Sequence, residues 1–327
     1  IFPIWTLPPS LACSVFAGQR APSSPERPLV TALPTLYERM FFIRRFEESL
    51  LDLFSQGKLV GTTHTYIGQE ANAVGIIDHL EPARDVVFSN HRCHGHYLAF
   101  TDDAFGLLCE VMGKASGVCG GKGGSQHLCK GNFYSNGVLG SIVPVATGIA
   151  LAEKKKGTGA VSTVFLGDGT LGEGVTYESL NLASLWKLPV LFVVENNHYA
   201  QSTPVELELA GSIPARAAAF GVETAELATT DVEEVHEAAG RAVARIRETG
   251  EPFFLVLDTY RFSPHSKGDD NRDPAEIENR RERDPLTVAG KRLGDAERRE
   301  IEEACERRVT ETIEAAEEAA AATPEAA

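Results

Sequence analysis

The sequence predicts an α/β fold, a parallel sheet with helices on both faces, followed by a C-terminal helical extension. Three short apolar runs support this prediction, and helical segments separate them: Val161–Leu166, Val190–Val194 and Phe253–Leu257. Continuous apolar runs of this length are typical of strands that are buried on both faces. Their alternation with helices indicates βαβ units and therefore parallel pairing.

The chain is expected to become ordered near Thr35, where a first helix begins. Residues 1–34 are rich in Pro and Ser and show no helical or strand period after Phe16. This stretch lacks the basic start of a signal peptide, so a disordered extension is the preferred interpretation and a signal peptide the alternative. Apolar residues at helical spacing predict the helix, and a glycine suits its end: Leu36, Met40, Ile43, Leu50, Phe54 and Gly57.

The middle of the chain combines predicted helices with a glycine-rich region. A second helix is predicted from Gly68, and helices over Gly172–Lys187 and Glu233–Glu248 are predicted to connect the three strands. Ten glycines lie in the 36 residues from Gly113 to Gly148. Glycine at this density indicates backbone that turns tightly or lies close to another group.

The end of the sequence is charged and helical from about Asp273, and its final Ala/Glu run is expected to form a solvated, frayed tail. The chain therefore divides into three predicted parts. An extension covers residues 1–34, an α/β domain covers 35–285, and a C-terminal helical segment with its tail covers 286–327.

Composition excludes several classes of protein. The 31 Lys and Arg against 46 Asp and Glu give a formal net charge of 31 − 46 = −15, which argues against nucleic acid as a partner. No apolar run reaches the roughly 18 residues of a membrane-spanning helix. The six cysteines are too few and too scattered for a disulfide framework, so a reducing compartment is expected. They include no C-x-x-C pair, which argues against a zinc ribbon or a thioredoxin-like site. The preferred location is the cytoplasm of a bacterium, with the mitochondrial matrix as the alternative.

The strongest local motif is the run GDGTLG at residues 167–172, between a predicted strand and a predicted helix. It satisfies the dinucleotide pattern G-x-G-x-x-G, and Glu195 lies near the end of the next strand, where a ribose-binding acid is sought. However, the Asp168 carboxylate would repel a pyrophosphate about 4 Å away by roughly 4 kcal/mol at an effective dielectric near 20. A bridging cation removes this repulsion. A helix N-cap is the simpler alternative for Asp168.

The second metal ligand is predicted from topology. Asn196 and Asn197 follow the next strand, and 197 − 168 = 29 residues suffice for one βαβ unit. A right-handed crossover places the side chains of Asp168 and Asn197 at the carboxyl edge of neighbouring strands, where open α/β sheets bind ligands. One carboxylate and one amide oxygen suit Mg²⁺ or Ca²⁺ that completes its coordination with phosphate oxygens and water.

These motifs resemble a known family. GDG followed by NN at this spacing is similar to the thiamin diphosphate (ThDP) motif, and the whole run from Gly167 to Thr203 resembles the α subunit of 2-oxo acid and acetoin dehydrogenase E1 components. The resemblance extends from about Thr35 to Arg283. Five further motifs carry it: HTYIGQEA (64–71), HRCHGH (91–96), GKGGSQH (121–127), NGVLGSIVP (136–144) and TYRFSPHS (259–266).

The resemblance implies roles for individual residues. Asp168, Asn197 and the carbonyl of Tyr199 would hold the metal, and the backbone N–H groups of Gly169 and Thr170 would meet the diphosphate. The remaining implied cofactor-binding residues are Arg92 at the diphosphate, Gly137 and Leu139 at the aminopyrimidine ring, His265 at the diphosphate and reacting centre, and His91 beside Arg92.

His265 is also the implied catalytic residue. His91 stands where pyruvate dehydrogenases commonly have tyrosine, and Ile142 stands where a polar residue is frequent. These departures leave the substrate open. Ser266 matches a position that is phosphorylated in mitochondrial relatives. The preferred interpretation is a constitutive loop, one that phosphorylation does not regulate.

The function implied is that of a ThDP- and Mg²⁺-dependent oxidoreductase. It would decarboxylate pyruvate or a branched-chain 2-oxo acid, or cleave acetoin, and pass the acyl group to the lipoyl group of an E2 partner. In this family the glutamate that activates the pyrimidine belongs to the β subunit, so an α2β2 assembly is implied. A nicotinamide dehydrogenase and a non-catalytic ThDP-binding subunit are the alternatives.

Several histidines and cysteines have two interpretations. His91, His94 and His96 are spaced unfavourably for one metal, so at least one is expected to be a structural hydrogen-bonding residue. His64 and His127 either approach the substrate channel or are satisfied loop histidines. A metal site at Cys119, His127 and Cys129 is less favoured than a packed loop, because no fourth ligand stands at usable spacing.

Overall fold

The computed structural model describes residues 31–59, 61–266 and 268–323. The extension predicted to be disordered covers residues 1–34, of which residues 1–30 lie outside the described residues. Leu33 and Pro34 already belong to the first helix, so the predicted end of the extension is too late. Residues Ala32–Ala327 form one compact unit. The division of this unit at residue 285 stays a prediction. Within the described residues, no helix is both long and apolar enough to span a membrane.

Strands and helices alternate along the chain. The strands are β1 (Val86–Ser89), β2 (Cys129–Lys130), β3 (Phe133–Ser135), β4 (Ser162–Gly167), β5 (Val190–Asn196), β6 (Tyr199–Ala200), β7 (Thr203–Pro204), β8 (Glu223–Leu227) and β9 (Phe253–Asp258). The helices are α1 (Leu33–Ser55), α2 (Glu70–Ile77), α3 (His94–Thr101), α4 (Ala104–Val111), α5 (Ile142–Lys156), α6 (Gly174–Leu185), α7 (Ile213–Ala218), α8 (Val232–Thr249), α9 (Pro274–Arg280), α10 (Pro285–Gly290) and α11 (Asp295–Glu318).

A seven-stranded sheet with the order β2-β3-β1-β4-β5-β9-β8 organises the fold. All its neighbouring strands are parallel except β2 and β3. Side chains along β4 alternate between two apolar clusters, with Phe165 in one and Val164 and Leu166 in the other. Helices α1, α2 and α8 contribute to the first cluster, and α5 and α6 to the second. The predicted parallel sheet with helices on both faces is confirmed.

The elements predicted from sequence match the structure to within a few residues. The three predicted strands are β4, β5 and β9, and the predicted helices are α1, α2, α6 and α8. A 3₁₀ turn at Asp168–Gly172 precedes α6, so this helix begins at Gly174 rather than at Gly172. The sequence analysis missed β1, β3 and β8, which are short or, for β8, half-exposed at the sheet edge.

The expectation of a frayed C-terminal tail is wrong for the described residues. Helix α11 packs along α1 and buries Cys305, Val309 and Ala316. Beyond α11, the Ala115 N–H donates to the carbonyl of Ala320 at 2.8 Å, and the chain pairs at this point with the segment after α4. The residues after α11 thus form backbone hydrogen bonds instead of fraying, although Ala320 and Ala321 are solvent-exposed as expected for a solvated tail.

A buried ion network connects three helices. The Arg44 guanidinium of α1 contacts the Glu70 carboxylate of α2 at 2.6 Å and the Asp284 carboxylate, which caps α10, at 2.9 Å. Glu70 also accepts the Gly68 N–H at 3.1 Å. Buried charges are costly unless they are paired, so these bonds are expected to be kept. Through the bond from Gly68 to Glu70, they fix the backbone just before α2.

Candidate functional site

A cavity of about 320 Å³ lies where the sheet carries Asp168 and Asn197. Strands β4 and β5 pair in parallel with Gly167 opposite Glu195, so the residues that follow them meet at one edge of the sheet. The predicted site residues that line the cavity are His91, Arg92, Gly137, Leu139, Asp168, Gly169, Asn197, Tyr199 and His265. Thr170 is buried beside them and does not line the cavity.

Asp168 lacks a partner for one of its carboxylate oxygens. Its Oδ1 accepts the Gly169 N–H at 2.8 Å, whereas Oδ2 is buried and has no hydrogen-bond partner among the described residues. Burial raises the pKa of this carboxyl, and the backbone hydrogen bond from Gly169 opposes the shift. A buried carboxylate oxygen without a partner is costly. A divalent cation supplies the missing partner, so Asp168 fits the predicted metal site.

The amide of Asn197 is held in one orientation. Its Nδ2 donates to Oε1 of Gln69 at 3.2 Å, and its Oδ1 accepts the Tyr199 N–H at 3.2 Å. Gln69 is buried immediately before α2 and also lines the cavity. With the amide nitrogen engaged by Gln69, the oxygen is the atom left for a cation. Sequence analysis did not identify Gln69, although it belongs to the motif HTYIGQEA.

Two buried arginines lie at or near the site: Arg92 lines the cavity, and Arg261 bonds to the cavity-lining residue Gln201. Arg92 donates through Nη1 to the carbonyl of Thr65, and burial together with Arg261 lowers its pKa to about 9. Arg261 is 1% exposed and donates through Nη2 to the carbonyl of Gln201 at 2.8 Å. Its Nε and Nη1 have no hydrogen-bond partner among the described residues. Such guanidinium groups fit an anion with several oxygens, such as a diphosphate.

Sequence analysis missed Arg261, although it lies four residues before His265 in the motif TYRFSPHS. Burial and Arg272 lower its pKa to about 10, while Asp168 is among the groups that raise it. The Asp168 carboxylate and the Arg261 guanidinium therefore interact electrostatically. A metal ion bound to a diphosphate would give the Asp168 carboxylate a cation and the Arg261 guanidinium an anion.

A buried carboxylate organises the glycine-rich loop. Glu110 at the end of α4 accepts backbone N–H groups at 2.6–3.2 Å from Cys119, Gly121, Gly123 and Gly124. This loop leads to Gln126, whose Oε1 would lie 2.1 Å from a Cβ placed on Gly137. A Cβ at position 137 would therefore require the Gln126 side chain to move. The packed-loop interpretation of Cys119 agrees with this geometry, because its Sγ contacts the carbonyl of His127 at 3.4 Å.

The histidines divide into structural and cavity groups. His94 contacts Glu47 Oε2 at 3.1 Å, and His96 contacts the Tyr66 hydroxyl at 3.0 Å and the Ser89 hydroxyl at 2.8 Å. Both are buried, as expected for structural hydrogen-bonding residues. His64 lines the cavity with His91 and His265, whereas His127 is exposed and does not.

Glu195 also lines the cavity, but its carboxylate is already engaged. It accepts hydrogen bonds from the Tyr66 hydroxyl and, at 3.2 Å, from Asn72 Nδ2. The ribose-binding role considered for Glu195 would require those bonds to break.

The fold and the site define a class of protein. It is an α/β protein in which the Asp168 carboxylate, the Asn197 amide and the Arg92 guanidinium line one cavity at the carboxyl ends of parallel strands. Residues 38–327 match the model of the family described as "Dehydrogenase E1 component". The chain therefore belongs to the dehydrogenase E1 component family, whose members depend on thiamin diphosphate.

Individual relatives agree with this assignment. Over 302 residues, 90% of each chain, the protein is 42% identical to the α subunit of acetoin:2,6-dichlorophenolindophenol oxidoreductase from Cupriavidus necator. It is 43% identical over 238 residues to the Bacillus subtilis protein of the same name, covering 72% of this chain and 71% of that one. It is also 42% identical over 240 residues to the pyruvate dehydrogenase E1 α subunit of Zymomonas mobilis, covering 72% and 68%. The resemblance seen in the sequence is confirmed.

Proposed function

We propose that this chain is the α subunit of a ThDP-dependent E1 enzyme. The enzyme decarboxylates a 2-oxo acid or cleaves acetoin, and it passes the acyl group to the lipoyl group of an E2 component. One observation carries the proposal: Asp168 Oδ2 is buried without a hydrogen-bond partner among the described residues, and Asp168 lines the same cavity as Asn197 at the carboxyl edge of the sheet. The names of the relatives, α subunits of acetoin and pyruvate enzymes, agree with it.

The proposed roles are those that the family resemblance implies, and the contacts of Asp168 and Asn197 agree with them. Asp168, the Asn197 amide oxygen and the Tyr199 carbonyl hold Mg²⁺, because oxygen ligands suit this ion when phosphate and water complete its coordination. The N–H groups of Gly169 and Thr170 bind the diphosphate from the 3₁₀ turn that precedes α6.

Other residues position the rest of the cofactor. Arg92 and Arg261 neutralise the diphosphate, and the backbones of Gly137 and Leu139 contact the aminopyrimidine. Bound ThDP would supply a carbanion nucleophile and an electron sink for this chemistry. His265 is the proposed catalytic residue at that reacting centre, with His91 beside it; neutral imidazoles there can accept or donate a hydrogen bond to a substrate oxygen.

A second subunit is proposed to complete the site. Among the described residues, the carboxylates that line the cavity are those of Asp168, Glu195 and Glu208. The first belongs to the proposed metal site, and the second is bonded to Tyr66 and Asn72. Glu208 is largely solvent-exposed, and partial desolvation of its carboxyl, followed by the negative charge of Asp168, raises its pKa. We therefore assign the carboxylate that activates the pyrimidine to a β subunit, in an α2β2 assembly. The proposed location is the bacterial cytoplasm, on the ground that the relatives named above are bacterial.

Reconstitution tests the proposal. The chain is co-expressed with its β subunit and assayed with ThDP and Mg²⁺ on pyruvate, 2-oxoisovalerate, 2-oxobutyrate and acetoin. The expected result is turnover of at least one substrate by the pair and none by the isolated chain. Turnover by the isolated chain would remove the need for a partner. Binding of NAD in place of ThDP would overturn the cofactor assignment.

The non-catalytic alternative is tested in the same assembly. His265→Ala is expected to reduce turnover while the affinity for Mg²⁺ and the assembly with the β subunit persist. Unchanged turnover would instead support a subunit that binds ThDP without taking part in the chemistry.

A further inference from the structure

Three imidazoles meet on the wall of the cavity, although they come from distant parts of the chain. His64 precedes α2, His91 follows β1, and His265 follows β9. Their ring centroids are separated by 4.8 Å for His64 and His91, 4.7 Å for His64 and His265, and 5.3 Å for His91 and His265. One ring nitrogen from each lies within 4.8 Å of the other two.

The nitrogens of this histidine cluster are available to a ligand. Within the part of the chain that the structure describes, neither His91 nor His265 forms a hydrogen bond through its ring. His64 uses only Nδ1, which lies 3.1 Å from Nε2 of Gln126. Burial, followed by the charge of Arg92, lowers the pKa of His64 to about 3 and that of His265 to about 4. The imidazoles are therefore neutral near pH 7, which is the form that coordinates metals.

We propose that His64, His91 and His265 form a binding site for a transition-metal cation of the Zn²⁺ type, separate from the Mg²⁺ site at Asp168 and Asn197. Neutral imidazole suits Zn²⁺, Co²⁺ and Cu²⁺, whereas Mg²⁺ prefers the oxygen ligands of the other site. Three histidines and one water complete a tetrahedral Zn²⁺ site with an open position.

The geometry requires only small movements of the rings. Zn–N bonds of about 2.0–2.1 Å place tetrahedral nitrogens about 3.3 Å apart, so the rings converge by an amount on the order of 1 Å. His91 and His265 are only partly buried, so their side chains have room to turn. Gln126 can rotate its amide to accept Nδ1–H from His64, which orients a metal-binding histidine as second-shell carbonyls commonly do.

The charge of Arg92 opposes a cation at the cluster, since it also lowers the pKa of each of the three histidines. The proposed function places His91 and His265 against bound ThDP, so ThDP and the transition metal should compete for the histidine cluster. This competition rests on the proposed function, whereas metal binding by the histidine cluster does not. A metal that holds His265 would also inhibit turnover.

Visible absorption of Co²⁺ tests the site. The full chain is titrated without a histidine tag, in a Cys119→Ser/Cys129→Ser background that removes two accessible thiols, with excess Mg²⁺ to fill the oxygen site. One equivalent of Co²⁺ is expected to give the intense visible bands of tetrahedral coordination. His91→Gln and His265→Gln are each expected to weaken binding by at least about tenfold. The control, His127→Ala, removes an exposed histidine outside the cavity and should leave the titration unchanged.

The outcomes separate this proposal from the preceding one. Weak bands of octahedral Co²⁺, or equal affinity in the parent and both glutamine variants, would overturn the histidine site even if ThDP binds as proposed. Tetrahedral Co²⁺ at the cluster in a chain that fails to bind ThDP would support the site and overturn the proposed function alone. Anomalous diffraction from Zn²⁺-soaked crystals of the parent chain gives a readout that needs no variant.

Discussion

The buried carboxyl of Asp168 is expected to destabilise the cofactor-free protein and to stabilise the metal-bound protein. Burial raises its pKa above the value of 3.8 for an unperturbed aspartate. An acid whose pKa is higher in the folded chain destabilises the fold above the unfolded pKa, and this penalty disappears as the pH falls. A bound metal reverses the balance, because it stabilises the ionised form.

Asp168→Asn is therefore expected to raise the free energy of unfolding of the cofactor-free chain at pH 7 by about 1–3 kcal/mol. The gain should shrink at acidic pH, where the parent carboxyl is protonated too. Urea denaturation at both pH values measures it. The same variant should lose Mg²⁺-dependent ThDP binding. Lower stability at pH 7 together with unchanged ThDP affinity would contradict the assignment of Asp168.

Gln69 acts on the metal through Asn197. Gln69→Leu removes the acceptor for Asn197 Nδ2, so the amide is free to turn its oxygen away from the cation. We expect about 10–100-fold weaker metal binding, as for other second-shell partners. Electron paramagnetic resonance of Mn²⁺ in the presence of ThDP measures the affinity directly. Gln69→Glu keeps an acceptor at this position and should retain most of the affinity; equal losses in both variants would argue against the orienting role.

Residues of the site were predictable where a motif and the strand order combined. Asp168 and Asn197 follow two adjacent parallel strands, so their juxtaposition follows from the sequence once β4 and β5 are recognised. Arg261 and Gln69 were not predicted, because their significance lies in which atoms lack or find partners after folding. The meeting of His64 with His91 and His265 likewise depends on loops from three separate regions.

The buried network of Arg44, Glu70 and Asp284 connects α1, α2 and α10. Glu70→Gln leaves Arg44 with one carboxylate in a buried environment, and breaking such a pair costs about 3–5 kcal/mol. Urea denaturation of the full chain measures this loss. The matched control is Glu81→Gln, which affects exposed pairs with Arg84 and Arg247 and should change stability by less than about 1 kcal/mol. Equal effects of the two substitutions would contradict the network's role.

The strands differ in how clearly their sequences identify them. The interior strands β4, β5 and β9 are apolar on both faces, and the sequence therefore predicts them. Strand β8 carries Glu223 and Glu226 at the sheet edge, and β1 spans only four residues, so neither has a comparable apolar run. The tail was mispredicted because its stability comes from backbone hydrogen bonds to Gly113 and Ala115, which leave no side-chain pattern.

An apolar surface lies beside the cavity. Val138 and Leu139 precede α5 and Val145 lies within it, and these side chains are 62%, 42% and 50% exposed. Leu139 also lines the cavity. Exposed apolar side chains next to an incomplete site are consistent with coverage by another subunit.

Val145→Asp is expected to weaken assembly with the β subunit without unfolding the chain, because a charge at this exposed position is costly only when covered. Size-exclusion chromatography of the co-expressed subunits, with circular dichroism of the variant, measures both effects. Glu300→Gln changes an exposed residue of α11 and serves as the control. Normal assembly of Val145→Asp would place the subunit contact elsewhere.

The pairing between the segment after α4 and the residues beyond α11 has a practical consequence. Lys114 extends its ammonium group to the carbonyls of Glu317 and Ala319, each at 2.9 Å, and Ala322 donates its N–H to Gly113. The same segment leads into the loop that Glu110 organises and that ends at Gln126 on the cavity wall. Shortening the protein before Ala320, or fusing a bulky tag there, should therefore alter coenzyme affinity, so expression designs need a flexible spacer after this point.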